Sequence, residues 1–266
     1  MKKYAYTLIL IAFAISGCKK EIDFEYNSID KLYIIEGRLS NETTEVLITR
    51  TQDMTDSVSR AGLGNALVTV SSDNGTVDTL QYDSDGYFRS PSGFTGEAGR
   101  NYTLSVSIDD QQFVSQSMMN KQTDIVSADF QWMQILDQRL LMCILIFNDI
   151  PDEENYYCYY MNRNGERYRW GLLDDRGNKR ETIEEYIVCM MENNELEDEE
   201  NILNEGDEIT IEVHTIDRRA FDYLYSLMLS NRASSNPIKN FSGGGLGYFS
   251  AYSVARYSST FSYPNS

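Results

Sequence analysis

The chain has one histidine, four prolines, four cysteines and two tryptophans in 266 residues, and its 23 basic side chains face 41 acidic ones. Each scarcity removes a class of function. With His214 alone, no two-histidine metal motif can form, and Cys18, Cys143, Cys158 and Cys189 stand at spacings that match no zinc pattern. A formal net charge of −18 leaves no basic face for a nucleic-acid backbone and no charge attraction to anionic lipid. No Gly-x-Ser-x-Gly elbow occurs, and the glycines at 243–247 lack the following Lys-Ser/Thr of a phosphate-binding loop. The apolar run from Tyr4 to Ile15 falls short of the roughly 20 residues that a membrane-spanning helix needs.

That short run has another meaning. Lys2 and Lys3 precede an apolar stretch from Leu8 to Ile15, which ends in Ala14-Ile15-Ser16-Gly17-Cys18. A positive start, an apolar middle and small residues before a cysteine make a bacterial secretory signal closed by a lipobox. Residues 1–17 are therefore expected to be removed. The Cys18 thiol then carries a diacylglycerol and the new amino terminus a further acyl chain such as palmitate. More than one chain gives stable anchoring where a single chain does not. Residues 18–30 form the tether, and its Lys20-Glu21 and later acids resemble the surface-export signal of Bacteroidota lipoproteins, while reading equally as a solvated spacer.

From Lys31 onward the pattern is that of strands. Leu32–Leu39, Thr44–Thr49, Leu67–Val70, Thr76–Tyr82, Tyr87–Phe88, Tyr102–Ile108 and Phe113–Ser115 are short, rich in branched and aromatic residues, and separated by turn residues such as Asp73-Asn74-Gly75 and Asp85-Gly86. Tyr102, Leu104, Val106 and Ile108 share a face, with Thr103, Ser105 and Ser107 on the other, as in a half-buried antiparallel strand. The fold class expected is mainly β: an Ig-like or transthyretin-like sandwich over 31–120, then a second β-rich, sandwich-like domain over 124–263 with one packed helix. In that second part Ile125–Ile135, Arg139–Phe147, Asn155–Met161, Tyr168–Leu173, Thr182–Met191, Ile209–Ile216 and Tyr248–Val254 read as strands. Arg139–Phe147 is apolar on both faces and hence central. The helix is expected near 218–230, with Asp217 as N-cap and Phe221, Leu224, Tyr225 and Met228 on its buried side.

Candidate chemistry is sparse. His214 alternates with Ile209, Ile211 and Val213, which puts it beside Thr210 and Glu212 on the opposite face, as an exposed or rim residue. The acids between 192 and 208 lack the Asp-x-Asp-x-Asp-Gly spacing of a calcium loop and read first as a solvated segment. Cys143 reads as a buried small hydrophobe, and Cys158 and Cys189 can form one disulfide in an oxidising compartment. No catalytic residue, metal ligand or cofactor is expected. The tyrosines flanking Cys158 divide by alternation into Tyr156 and Tyr160 on one face and Tyr157 and Tyr159 on the other. Tyr157 and Tyr159, with Tyr248 and Phe249 near the end, are the candidate binding surface, since rigid amphipathic rings give large contact at low entropy cost.

The lipobox, the run from Ala66-Leu67-Val68-Thr69-Val70 through Gly96-Glu97-Ala98-Gly99-Arg100-Asn101-Tyr102, and the ending Asn236-Pro237-Ile238 with Gly245-Leu246-Gly247-Tyr248-Phe249-Ser250-Ala251 together resemble one family. It is that of the Bacteroidota lipoproteins classed as domain of unknown function 4249. The resemblance covers nearly the whole chain after Cys18. It implies an outer-membrane lipoprotein, facing the cell surface or the periplasm, often encoded beside a TonB-dependent, SusC-like transporter; it implies no activity. The expectation is a non-enzymatic, lipid-anchored accessory or ligand-binding protein of a nutrient-uptake system. A surface adhesin or structural module is the alternative, and an envelope hydrolase using a carboxylate pair stands behind both.

Overall fold

Strands that bury every second side chain dominate the computed structural model, which describes residues 31–52, 61–150, 153–176, 180–192, 201–233 and 237–264. The expected signal segment and tether, Cys18 and the acids at 193–200 lie outside the described residues. The chain is mainly β, as expected, with fourteen strands and one helix among the described residues.

The first half is made of hairpins. β1 (Tyr33–Ser40) pairs with β2 (Thr44–Arg50), β3 (Leu67–Ser72) with β4 (Val77–Tyr82), and β6 (Asn101–Ile108) with β7 (Gln111–Met118), while β5 (Tyr87–Arg89) pairs with both β2 and β4. Gly75, at φ +89°, supplies the positive dihedral of the β3–β4 turn. β6 shows the expected alternation, with Tyr102, Leu104, Val106 and Ile108 buried. Only two residue pairs join β5 to β4, and at this narrow link the sheet turns back on itself. Ile35, Leu39, Val46 and Ile48 of one layer thereby share a core with Val68, Leu104, Val106 and Phe113 of the other. Burying side chains of this kind stabilises the fold by about 1.5–3 kcal/mol each.

In the second half, β8 (Ile125–Ile135), β9 (Gln138–Asn148) and β12 (Thr182–Met191) form a three-stranded sheet with β9 in the middle, the central place its apolar sequence predicts. Leu141, Cys143, Leu145 and Phe147 of β9 pack on Tyr157, Tyr159 and Met161 of β10 (Tyr156–Arg163) and on Ile211 and Val213 of β13 (Glu208–Ile216). β11 (Glu166–Asp174) follows β10 through Asn164 and Gly165, both at positive φ, and forms the edge.

The last strand, β14 (Leu246–Thr260), joins the halves. Leu246–Tyr252 runs parallel to β1, whereas Ser253–Thr260 runs antiparallel to β13. The resulting eleven-stranded sheet has the order β11-β10-β13-β14-β1-β2-β5-β4-β3-β6-β7. The expected strand at Tyr248–Val254 is therefore only the middle of a longer one. Its extension is rich in Ser and Tyr, which suit a half-buried sheet face without looking apolar. The expected boundary near 120–124 falls in the connection between β7 and β8.

The helix, α1 (Arg218–Ala233), starts where its cap predicts. Asp217 accepts the Ala220 amide at 2.7 Å through Oδ1 and the Met118 amide at 3.0 Å through Oδ2, which ties the helix start to the end of β7. Its buried side is Ala220, Phe221, Tyr223 and Leu224, resting on a second core with Tyr156, Cys158, Tyr252 and Val254. Tyr225, expected on that side, is 44% exposed and only stacks on Phe221, because the apolar stripe centres on 220, 223 and 224. Cys158 and Cys189 are free: Cys158 belongs to the core under α1 and Cys189 to the core on the other face of the sheet.

The glycine loop ahead of β14 makes a close approach to other strands. At Gly247 (φ +100°) an added Cβ would lie 1.9 Å from the Ile35 carbonyl oxygen, whereas Gly244 (φ +89°) faces open space. Gly244→Ala is expected to cost about 1 kcal/mol, the strain of a left-handed alanine. Gly247→Ala adds a backbone clash at the β1–β14 pairing and is expected to cost roughly 3 kcal/mol or more. Urea denaturation of the two variants checks the difference.

Candidate functional site

Alternation on four neighbouring strands decides what the second face of the sheet presents. The residues that turn away from the two large cores are Glu36 and Arg38 on β1, Tyr248, Ser250, Tyr252, Val254 and Arg256 on β14, Glu212 and His214 on β13, and Cys158 and Tyr160 on β10. α1 covers one end of this face. Beside it remains a pocket of about 110 Å³, lined by Arg38, Tyr160, Arg167, His214, Ser250 and Tyr252 among others.

Its walls are aromatic. His214 stacks on Tyr252 with centroids 4.4 Å apart and planes 14° apart, and meets Tyr160 edge-on at 4.9 Å. Tyr248 stacks on Tyr223 of the helix at 5.4 Å. The Arg167 guanidinium lies 3.7 Å from the Tyr160 ring centroid, a cation–π contact. Arg38 enters from β1, directly opposite Ser250 of β14, and is held from behind by Glu45 at 3.1 Å.

A charge relay flanks the pocket. Glu212 Oε2 lies 2.9 Å from His214 Nε2, Glu212 Oε1 accepts from Arg256 Nε at 2.9 Å, and Arg256 also grips both oxygens of Glu42. Burial pushes the His214 pKa below its ordinary value, so the ring is neutral at pH 7, and with its proton on Nε2 it donates to Glu212. That hydrogen bond, with Arg256 adding to it, lowers the Glu212 carboxyl to about 2. Two donors remain without a partner: the Ser250 hydroxyl and Arg38 Nε are both buried and unbonded.

Glu212, His214 and Ser250 are the residue types of a hydrolytic triad, but the spacing is wrong for one. His214 pairs with Val254, four residues along β14 from Ser250. At the rise of a strand that is roughly 13 Å. The Ser250 hydroxyl makes no hydrogen bond, so the Glu212–His214 pair is not extended to a nucleophile.

The sequence-predicted binding residues divide here. Tyr248 lines the pocket. Tyr157 is fully buried, Tyr159 is 7% exposed and Phe249 1%, so none of the three offers a surface. Both faces of β10 are covered, one by the three-stranded sheet and one by α1, and Tyr157 and Tyr159 fall on the more deeply covered side. Tyr159 lies across Gly171 of β11, where even a Cβ would come within 2.5 Å of its ring. His214, expected at a rim, is 8% exposed because Tyr252 and Tyr160 enclose it. Cys18 lies outside the described residues. Arg38, Arg167, Ser250 and Tyr252 went unread in the sequence, although the parity of Tyr248, Ser250 and Tyr252 along one strand was a signal for the last two.

Among the described residues of the acidic stretch, Asp207 is committed to structure: it accepts from Arg163 Nε at 2.6 Å and from the Asn204 amide at 2.7 Å. No group of three or more His, Cys, Asp or Glu side chains that could hold a metal occurs among the described residues. A family model described as "Domain of unknown function (DUF4249)" matches residues 19–258. No curated protein matches the chain.

The relay predicts an acid-sensitive fold. Glu212 has a folded pKa below its unfolded value of 4.5, so its contribution is full above pH 4.5 and is lost as pH falls toward about 2. His214, also lowered, takes up a proton on unfolding, so stability begins to fall below about pH 6.5. The charged and titratable groups facing this pair are Arg256 of β14, Arg167 of β11, and Tyr160 and Cys158 of β10, with Tyr252 stacked on the ring. Glu212→Gln is expected to lose about 2 kcal/mol at pH 7 and to flatten the stability profile between pH 4.5 and 2. Urea titrations across that range test it, and an unchanged acid limb counts against the relay.

Proposed function

Because the chain belongs to the DUF4249 family, we propose that it is a lipid-anchored, non-enzymatic accessory protein of the bacterial outer membrane. It acts beside a TonB-dependent, SusC-like transporter in nutrient uptake. The observation that carries the reading is Ala14-Ile15-Ser16-Gly17-Cys18 at the end of a charged and apolar leader. With a net charge of −18, the protein has no electrostatic hold on an anionic membrane, so attachment falls to acyl chains on Cys18. The pocket between β1, β14, β13 and β10 supports a binding role: stacked rings and fixed donors line it, and no nucleophile is coupled to the Glu212–His214 pair.

The reading has two separable parts. Wild-type chain is expected in the outer-membrane fraction, with residue 18 carrying diacylglycerol by mass spectrometry, and Cys18→Ala is expected in the soluble fraction. A tagged chain purified from detergent-solubilised outer membrane is expected to bring a TonB-dependent barrel with it in near-stoichiometric amount. An unmodified residue 18 defeats the anchor, and recovery without any barrel defeats the transporter association.

A further inference from the structure

The pocket on the second face of the sheet holds a set of groups that the fold itself leaves unused. Ser250 is 2% exposed, and its hydroxyl has no partner. Buried hydroxyls are nearly always hydrogen-bonded, since an unpaired one costs stability. Here the serine sits at the floor of an open pocket with Tyr248 and Tyr252 on either side of it along β14 and Arg38 opposite it on β1. Arg38 Nε is a second buried donor without a partner. Arg167, an exposed residue of β11, makes no ion pair with any described carboxylate and rests on the Tyr160 ring at the mouth.

We infer that this pocket binds a monovalent organic carboxylate, with the acid group received by Arg38, Arg167 and Ser250 and the attached body lying against the tyrosine rings. The sign and size of the charge follow from the lining. Arg38 is already paired with Glu45 and Glu212 with Arg256, while His214 is neutral, so Arg167 is the one positive charge of the lining without a carboxylate partner. One negative charge balances it; a phosphate dianion would face the Glu212 carboxylate with an excess. A carboxylate is planar and matches the guanidinium fork, and it accepts a hydroxyl proton at the same time. A volume of about 110 Å³ admits an acid group and a few attached carbons, not an extended chain. Aromatic faces beside the donors reward an apolar or ring-bearing body.

The inference deepens the reading of the chain as a binding protein and rests on that reading. It is tested on the isolated chain in detergent, so its failure leaves the barrel association standing, and loss of the barrel association leaves the titration standing. Acetate and benzoate are titrated by calorimetry against the neutral isosteres acetamide and benzamide, and against inorganic phosphate. One benzoate per chain is expected, with acetate competing for the same site and the amides and phosphate at least tenfold weaker. Arg167→Gln, an exposed change expected to leave the melting temperature unaltered, should weaken benzoate about tenfold, and Ser250→Ala by a similar factor. Equal binding of benzoate and benzamide, stronger binding of phosphate, or wild-type affinity in both variants overturns the proposal.

Discussion

A strand that changes partners halfway must find other bonds for the backbone groups it leaves behind, and this requirement organises the structure. β14 is paired with β1 up to Tyr252 and with β13 from Ser253 onward. Side chains cap the edges so exposed. Asn240 Oδ1 accepts the Phe249 amide at 3.1 Å, Ser117 Oγ accepts the Ala251 amide at 2.8 Å, and Asn41 Oδ1 accepts the Val254 amide at 3.2 Å. The first two donors are buried and the third is half-buried, and leaving a buried donor unpaired costs about 1–3 kcal/mol. Asn240 Oδ1 also accepts from Ser115 Oγ at 2.5 Å, and the Asn240 backbone carbonyl accepts from Arg219, so the first sandwich, the last strand and the helix meet at one residue.

The same strand divides the polar from the apolar. Gly247, Phe249 and Ala251 turn one way into the first core, with Tyr257 and Phe261 continuing on that side into the second. Tyr248, Ser250, Tyr252 and Arg256 turn the other way. A sheet with one face fully used for cores leaves the other free to carry charge, and here the helix covers only part of it. Arg89, Glu45 and Arg38 continue the charged row across β5, β2 and β1. The pocket lies where the row meets the helix, and its donors come from both ends of the chain.

Much of this was legible in the sequence, and the losses have identifiable causes. The strands of both halves, the Asp217 cap and the central place of β9 follow from alternation and capping, which are local. Alternation also placed Glu212 and His214 together and separated Tyr156 and Tyr160 from Tyr157 and Tyr159. It could not say which face of β10 is covered, because a helix from later in the chain covers the second face as well. Tyr157 and Tyr159, chosen as a surface, therefore lie inside, while on the other face Tyr160 lines the pocket and Tyr156 is buried under α1. The exposure of Tyr225 reflects the same limit: a stripe's centre is set by what it rests on. The adjacency of Arg38 and Ser250 is a parallel pairing between the first strand and the last, and no local pattern announces it. In Tyr157 and Tyr159 the principle that won was tertiary burial over the general suitability of tyrosine for display.

The parallel pairing of β1 with β14 has a consequence for the order in which the protein can be made. Until β14 emerges, β1 has one empty edge, and the hydrophobic interior shared by Ile35, Leu39 and Leu104 lacks Phe249 and Ala251. The core of the amino-terminal half is therefore complete only once β14 is in place. Contacts between residues so distant in the chain close slowly, since loop entropy is lost before they are gained. The nascent polypeptide thus keeps one edge of β1 unpaired until β14 arrives, and the pairing of these two strands closes the chain.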